Sequence, residues 1–421
     1  MANQPRRTAQ HRGAPTGHDG HVRRGATGLA GLGLFLGLVA SATSPAAART
    51  DVAVHDVAGA GAAGSLSAPS GIALDQAGDL FVADTDHCRV VVVPSRAGHL
   101  YGTDVRAHHA YVVAGSPCGT RGSLPDPTGV AVGSTGDLYI AEASADRVVM
   151  VGPGGLRRGQ APRTVAGTGS PGYSGNGLVA HASALDEPTG IALDAAGDLF
   201  IADTANCRVR MVPATSGVHY GQSMQAGHLY DLVGNGTCGS ADGSPGPSSE
   251  IWDPVAVAVD SGGNVVVADQ GDQTVVELAA RTGTYYGTSI DAGDAQVVIG
   301  QPGDGNTPYL QDGLSATSIV SELNDPEGLA VAPDGTLFVT DGSMHCIRVV
   351  PAVTGDVLGR TMAGGDYYTL AGALPVNNAQ GVGDGTRWIV THMDVPFGIA
   401  VAPSGAVVFS DNGANQVREL G

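Results

Sequence analysis

Six copies of one segment run through this chain, and each copy calls for the same pair of antiparallel strands. Pro69-Ser-Gly-Ile-Ala-Leu-Asp-Gln-Ala-Gly-Asp-Leu-Phe-Val-Ala-Asp84 is echoed by Pro188-Thr-Gly-Ile-Ala-Leu-Asp-Ala-Ala-Gly-Asp-Leu-Phe-Ile-Ala-Asp203, and further copies begin at Pro127, Pro254, Pro326 and Pro396. Each reads as a short apolar strand (Ile72 to Leu74), a turn around a glycine (Gly78) and a second strand (Leu80 to Ala83) that ends in an acid. A third strand follows in every copy, at Arg89 to Val93, Arg147 to Val151, Val209 to Val212, Val275 to Leu278, Ile347 to Val350 and Val417 to Leu420. We letter these strands a, b and c.

A fourth apolar segment, strand d, closes the unit in five copies: Tyr111 to Gly115, Thr164 to Gly167, Tyr230 to Gly234, Val297 to Gly300 and Tyr368 to Gly372. The sixth copy stops after strand c, while His55-Asp-Val-Ala-Gly59 precedes the first copy and has the form of a d strand. The two ends of the chain are thus expected to complete one blade together. Closing a ring in this way removes the exposed edges that an open array would have to cap. The expected fold is all-β: a six-bladed β-propeller with four antiparallel strands per blade, closed by an N-terminal strand in the last blade.

Successive repeat prolines lie 58, 61, 66, 72 and 70 residues apart, against about 40–45 for a minimal blade. Part of the excess is an element between c and d in four copies (Ala97 to Gly102, Gly217 to Gly221, Gly283 to Gly287, Gly355 to Gly359), read as c and d extended into a longer hairpin. The rest lies between d and the next a, as in Gly172-Tyr-Ser-Gly-Asn-Gly177 and in the stretch from Gly303 to Asp325.

Residues 1–48 have another character. Five arginines precede an apolar run from Leu29 to Ala40, and Ala46-Ala47-Ala48 follows. This order of basic, apolar and small residues reads as a secretory signal cleaved near Ala48, leaving residues 49–421 as one propeller domain. The run is too short for a membrane span of about 20 residues. Arg23-Arg24 leaves the export route open. Cleavage removes five arginines and one acid, so the mature chain carries 16 basic against 39 acidic residues, a net charge of −23. Such a charge disfavours nucleic acid and anionic membranes and favours cations or basic surfaces. A monomer is expected.

The pattern Pro-x-Gly-[Ile/Val]-Ala-[Val/Leu], then Gly-x-Leu-[Phe/Tyr]-[Val/Ile]-Ala-Asp, then Arg-Val, resembles the NHL repeat over residues 52 to 421. With Gly172-Tyr-Ser-Gly-Asn-Gly177 ahead of it, the third copy also resembles the NHL propellers of teneurin-like and bacterial surface proteins. The fourth copy departs most: Val255 to Val259 lacks the glycine, and Asp269-Gln-Gly-Asp-Gln-Thr274 lacks the arginine. The resemblance implies a six-bladed propeller that binds something, and no particular reaction.

Two sets of acids recur. Strand b ends in Asp84, Glu142, Asp203, Asp269, Asp341 and Asp411, all on one rim, where a carboxylate accepts backbone hydrogen bonds of the adjoining turn. A second set precedes strand a: Asp126, Asp186, Glu187, Asp253, Asp325 and Asp394. If a is innermost, these lie near the channel mouth, where converging oxygens would suit Ca²⁺, which takes six to eight such ligands. Capping of the turn before proline is the alternative role. Histidines are scattered, without His-x-His, His-Glu-x-x-His or Cys-x-x-Cys spacing. Gluconolactonase-like propellers place acids and an Asn around a central divalent cation; residues of those types are present here, and no motif selects among them. Gly-x-Ser-x-Gly is absent, and turn chemistry accounts for Tyr173-Ser174-Gly175.

Cys88 and Cys207 each stand four residues past the strand-b acid, and Cys118 and Cys238 each follow strand d. In an antiparallel c–d pair the start of c lies opposite the end of d, so the expected bridges are Cys88–Cys118 and Cys207–Cys238, leaving Cys346 as a buried thiol. The function expected is an exported, non-catalytic propeller that binds a protein, peptide or cell-wall glycan at or outside the cell surface. The alternative is a divalent-metal hydrolase or lyase acting at the channel mouth.

Overall fold

A computed structural model describes residues 54–58, 65–156, 160–301, 312–317, 323–372 and 393–420. The expected signal segment and its expected cleavage near Ala48 lie outside the described residues. Arg49–Gly421 forms one compact unit.

The chain is an all-β, six-bladed propeller. Blade one is Pro69–Leu74 (a), Leu80–Asp84 (b), Arg89–Val93 (c) and Tyr111–Gly115 (d). Blade two is Pro127–Val132, Leu138–Glu142, Arg147–Val151 and Arg163–Ala166. In blades three, four and five the a strands are Pro188–Leu193, Pro254–Val259 and Pro326–Val331, the d strands His228–Val233, Asp294–Ile299 and Asp366–Gly372. Each of these three blades gains a short fifth strand outside d, at Leu178–Val179, Asp242–Pro245 and Leu314–Ser315. Blade six comprises Pro396–Val401, Val407–Asp411 and Gln416–Leu420, with Val54–Ala58 paired antiparallel to its c strand, Val54 opposite Leu420.

The six a strands pack side by side around the axis, that of blade six against that of blade one. Glycine in Pro-x-Gly is what allows this spacing. A Cβ on Gly129 would lie 2.3 Å from the carbonyl oxygen of Thr189 in the next blade, and one on Gly328 2.2 Å from that of Phe397. Both residues have ordinary φ, so the close approach alone excludes a side chain. Hydroxyls stitch the same seam. Thr189 Oγ1 donates to Val255 O at 2.9 Å, and Ser410 Oγ donates to Ser70 O at 2.6 Å, tying blade six to blade one. Strand b is buried on both faces in five blades, and in blade two all but half-buried Tyr139 is buried, which is why it reads as a largely apolar run, and the cores lie between neighbouring blades.

The c–d insertions form separate two-stranded ladders in blades one, three, four and five rather than lengthening c and d. Their tips are Tyr101-Gly102, Tyr220-Gly221, Tyr286-Gly287 and Leu358-Gly359, with both residues at positive φ, the turn that matches strand twist. A tyrosine is uncommon there. Its hydroxyl compensates by bonding the a–b turn of the following blade: Tyr101 to Gly136 O, Tyr220 to Gly263 O and Tyr286 to Gly335 O, at 2.8, 2.6 and 2.9 Å.

The disulfides Cys88–Cys118 and Cys207–Cys238 are both formed, and Cys346 is a buried free thiol. Among the described residues no helix is long and apolar enough to cross a membrane.

Removing residues 54–58 takes away the strand beside Gln416–Leu420. The melting temperature is expected to fall by on the order of 5–10 °C; a change below about 1 °C would show that this pairing contributes nothing to ring closure.

Candidate functional site

The face bearing the b–c turns and d–a connections carries both sets of recurring acids. Its foundation is the strand-b acid. Asp84, Asp203, Asp269, Asp341 and Asp411 are wholly buried, and each accepts the backbone N–H of the residue two before its repeat proline: Ser67, Asp186, Trp252, Asn324 and Asp394, at 2.7 to 3.1 Å. The bond therefore reaches mainly to the d–a connection, with the b–c turn adding Met344 N on Asp341. Blade two is the exception with a cause. Pro125 occupies the donor position and has no N–H, and there the acid is the longer Glu142, which turns to the Nε of Arg147.

An arginine from strand c meets the acid in five blades. Arg89 bonds Asp84 at 2.6 Å, Arg147 bonds Glu142, Arg210 bonds Asp203 at 3.1 Å, and Arg418 bonds Asp411 at 2.8 Å. Arg348 lies 3.4 Å from Asp341, and both are fully buried. Burial pushes Asp203 and Asp341 up to about 6 in spite of Arg210 and Arg348, which act in the opposite sense. The Gly172 to Gly177 loop belongs to this framework. Arg210 also bonds Asp231 and Gly175 O, the Tyr173 hydroxyl donates to Asp231, and the Tyr173 ring lies over Arg208. Ser174 accepts the N–H of Ala184 and is placed as a turn residue.

The acids ahead of strand a shape its entrance. The residue before the repeat proline is left-handed in all six blades: Ala68, Asp126, Glu187, Asp253, Asp325 and Val395. Acids tolerate that conformation better than most residues. The carbonyls of Asp126, Asp186, Asp253, Asp325 and Asp394 accept N–H groups of the b–c turn. Among the described residues, no group of three or more His, Cys, Asp or Glu comes together in a way that could hold a metal ion.

On the axis, the second residue of each a strand faces the channel or the neighbouring blade: Ser70, Thr128, Thr189, Val255, Glu327 and Phe397. The cavity they leave is about 70 Å³. Among the described residues lining it, Glu327 alone is charged. Burial raises its pKa to about 7, Asp325 adds to the rise, and a hydrogen bond from Gln270 opposes it. A carboxyl so poised can donate a hydrogen bond or exchange a proton near neutrality. Reading the repeats by likeness passes over Glu327, because the x position varies; the signal available was one acid in a series of Ser, Thr, Thr, Val and Phe. Exposed Trp252, with 45% of its surface accessible, stands on the same face beside Gly271. A second depression, about 710 Å³, opens on the opposite face between blades five and six, where Leu358 replaces the tip tyrosine.

Raised carboxyl pKa values set the pH dependence. Glu327 near 7, Asp203 and Asp341 near 6, and buried Glu277 near 8 hold protons in the fold that the unfolded chain has released. Stability from these groups is complete below about pH 4 and is lost as pH rises through 6 to 8. Glu327→Gln is therefore expected to raise the melting temperature at pH 8 by roughly 1–3 °C and to leave it unchanged at pH 4; an equal change at both pH values would contradict the shift.

The NHL repeat matches residues 66–93, 185–210 and 323–350, which are strands a to c of blades one, three and five. No curated protein matches the chain. Among solved structures, a Bacteroides thetaiotaomicron protein of unknown function aligns with TM-score 0.55 at 17% identity, covering 87% of this chain and 75% of its own. An auxiliary nutrient binding protein from the same organism aligns with TM-score 0.52 at 12% identity, covering 85% and 69%. A Xanthomonas campestris gluconolactonase aligns with TM-score 0.51 at 12% identity, covering 88% and 90%. These likenesses are of fold. The chain thus carries three NHL repeats in a six-bladed β-propeller whose other three blades are built on the same strands around a buried acid.

Proposed function

We propose that this protein is an exported binding propeller that holds a peptide, protein or cell-wall glycan on the face carrying the d–a connections. The observation that carries the reading is the width of the axis. A cavity of about 70 Å³ is well below the roughly 300–1,000 Å³ of a small-molecule pocket, so a ligand of that size does not fit on the axis, and the reading places it on the rim. There the strand-b acids are committed to the backbone, while Trp252 and the outer acids remain accessible. Function grafted on exposed connections of a rigid scaffold is a common arrangement. The strong negative charge of the mature chain favours a ligand with basic groups. A binding role on this architecture agrees with the description of the auxiliary nutrient binding protein of like fold. The two disulfides are compatible with an oxidising, extracellular setting.

A second reading, hydrolysis or elimination at the channel mouth, draws on Glu327, whose carboxyl is poised for acid–base work.

Binding of the purified protein to insoluble peptidoglycan and to an immobilised arginine-rich peptide separates the readings. Saturable binding to one of them is expected, reduced about tenfold or more by Trp252→Ala and unchanged by Val218→Ser on the blade-three hairpin of the opposite face. Turnover of a lactone substrate that Glu327→Gln abolishes, with no saturable binding, would overturn the binding role.

A further inference from the structure

Blade four breaks the pairing that the other blades keep. In blades one and two the first residue of strand c, opposite the acid, is Arg89 or Arg147; in blades three, five and six the third residue is Arg210, Arg348 or Arg418. Blade four has Thr274 at the first place and Val276 at the third. The third residue after the acid changes as well. His87 and Asn206 bond Asp84 and Asp203 there, at 2.9 and 3.0 Å. In blade four that residue is Asp272, an acceptor facing an acceptor.

The result is a set of buried oxygens without partners. Asp269 Oδ2, Asp272 Oδ2, Thr274 Oγ1 and Gln273 Oε1 are all shielded from solvent, and none has a hydrogen bond. Asp269 and Thr274 have no accessible surface, and Asp272 has 5%. Thr274 is the cross-strand partner of Asp269, so the hydroxyl and carboxylate share one face of the sheet. Leaving two carboxylates buried together without a counter-charge is costly.

We infer that blade four binds a hard divalent cation, Ca²⁺, in the place where the other blades put an arginine, with Asp269, Asp272 and Thr274 as its side-chain ligands. The donors are all oxygen, two of them anionic, which is the set that selects Ca²⁺ over metals preferring nitrogen or sulfur. The ion neutralises the pair as the guanidinium does elsewhere. With its ligands buried, the site is structural: it fixes the b–c turn that carries Gly271 beneath Trp252 and Gln270 against Glu327. The inference stands apart from the binding role proposed above, since a scaffold ion is compatible with any ligand or none.

The purified full chain, freed of metal with chelator, is titrated with CaCl₂ alone, followed by calorimetry and thermal melts, with MgCl₂ as the comparison. The expected results are about one Ca²⁺ per chain and a melting temperature raised by about 5 °C at 1 mM Ca²⁺. Asp272→Asn abolishes the shift. Thr274→Arg, which restores the arginine of blades one and two, melts higher in chelator and no longer responds to Ca²⁺. A wild-type melt indifferent to Ca²⁺, or a Ca²⁺ shift that persists in both variants, overturns the site. If Asp269 and Asp272 instead share a proton, the melt ignores Ca²⁺ and Asp272→Asn removes a pH dependence.

Discussion

The buried carboxylate at the end of strand b is the interaction on which each blade is assembled. It stands where three segments meet: the end of b, the chain entering a from the previous blade, and the start of c. By accepting the N–H two residues before the repeat proline, it sets the angle at which the chain comes in from the rim to the axis. A carboxylate shut away from water is unfavourable unless compensated. The backbone donor and the arginine of strand c supply that compensation, each in five of the six blades. The pairing of Glu142 with Pro125 shows the dependence from the other side, since loss of the N–H coincides with a change of acid.

Joining the blades is a separate matter, handled by small contacts at two radii. At the axis, glycine and hydroxyl side chains let neighbouring a strands approach until backbone oxygens nearly touch the next Cα. Further out and on the other face, tip tyrosines bond the next a–b turn. Where a tyrosine is replaced by Leu358, a depression opens between the blades. The tight axis also limits what the molecule can do, since it leaves room for a few waters and one carboxyl, Glu327, and none for a larger ligand.

Much of the fold was legible in the repeat. Strand boundaries, the count of blades and both disulfides follow from spacings that recur because each blade solves the same packing problem. What likeness between copies conceals is anything that depends on neighbours far along the chain. The glycine of Pro-x-Gly is visible in the repeat only as part of its pattern; its cause is the carbonyl of the next blade, some 60 residues on. Tyr101, Tyr220 and Tyr286 lie in segments that read as an extension of c and d, and in the fold they brace the next blade. The acids before strand a look like convergent ligands in one dimension; in three, Asp126, Glu187, Asp253 and Asp325 sit in left-handed positions around the ring, and the carbonyls of Asp126, Asp186, Asp253, Asp325 and Asp394 are turned to the b–c turns. Site information lay instead in departures from the repeat: Glu327 in a series of small and apolar residues, and Thr274, Val276 and Asp272 where arginine or a donor is expected.

If the strand-b acid is scaffold by virtue of its arginine, its removal has opposite consequences in different blades. Stability of Asp341→Asn and Asp269→Asn, measured by denaturant unfolding in chelator, tests this directly. Asp341→Asn leaves Arg348 buried without its counter-charge and is expected to lose about 3–5 kcal/mol. Asp269→Asn removes one of two facing carboxylates and is expected to be neutral or stabilising. Equal losses in the two variants would contradict the account.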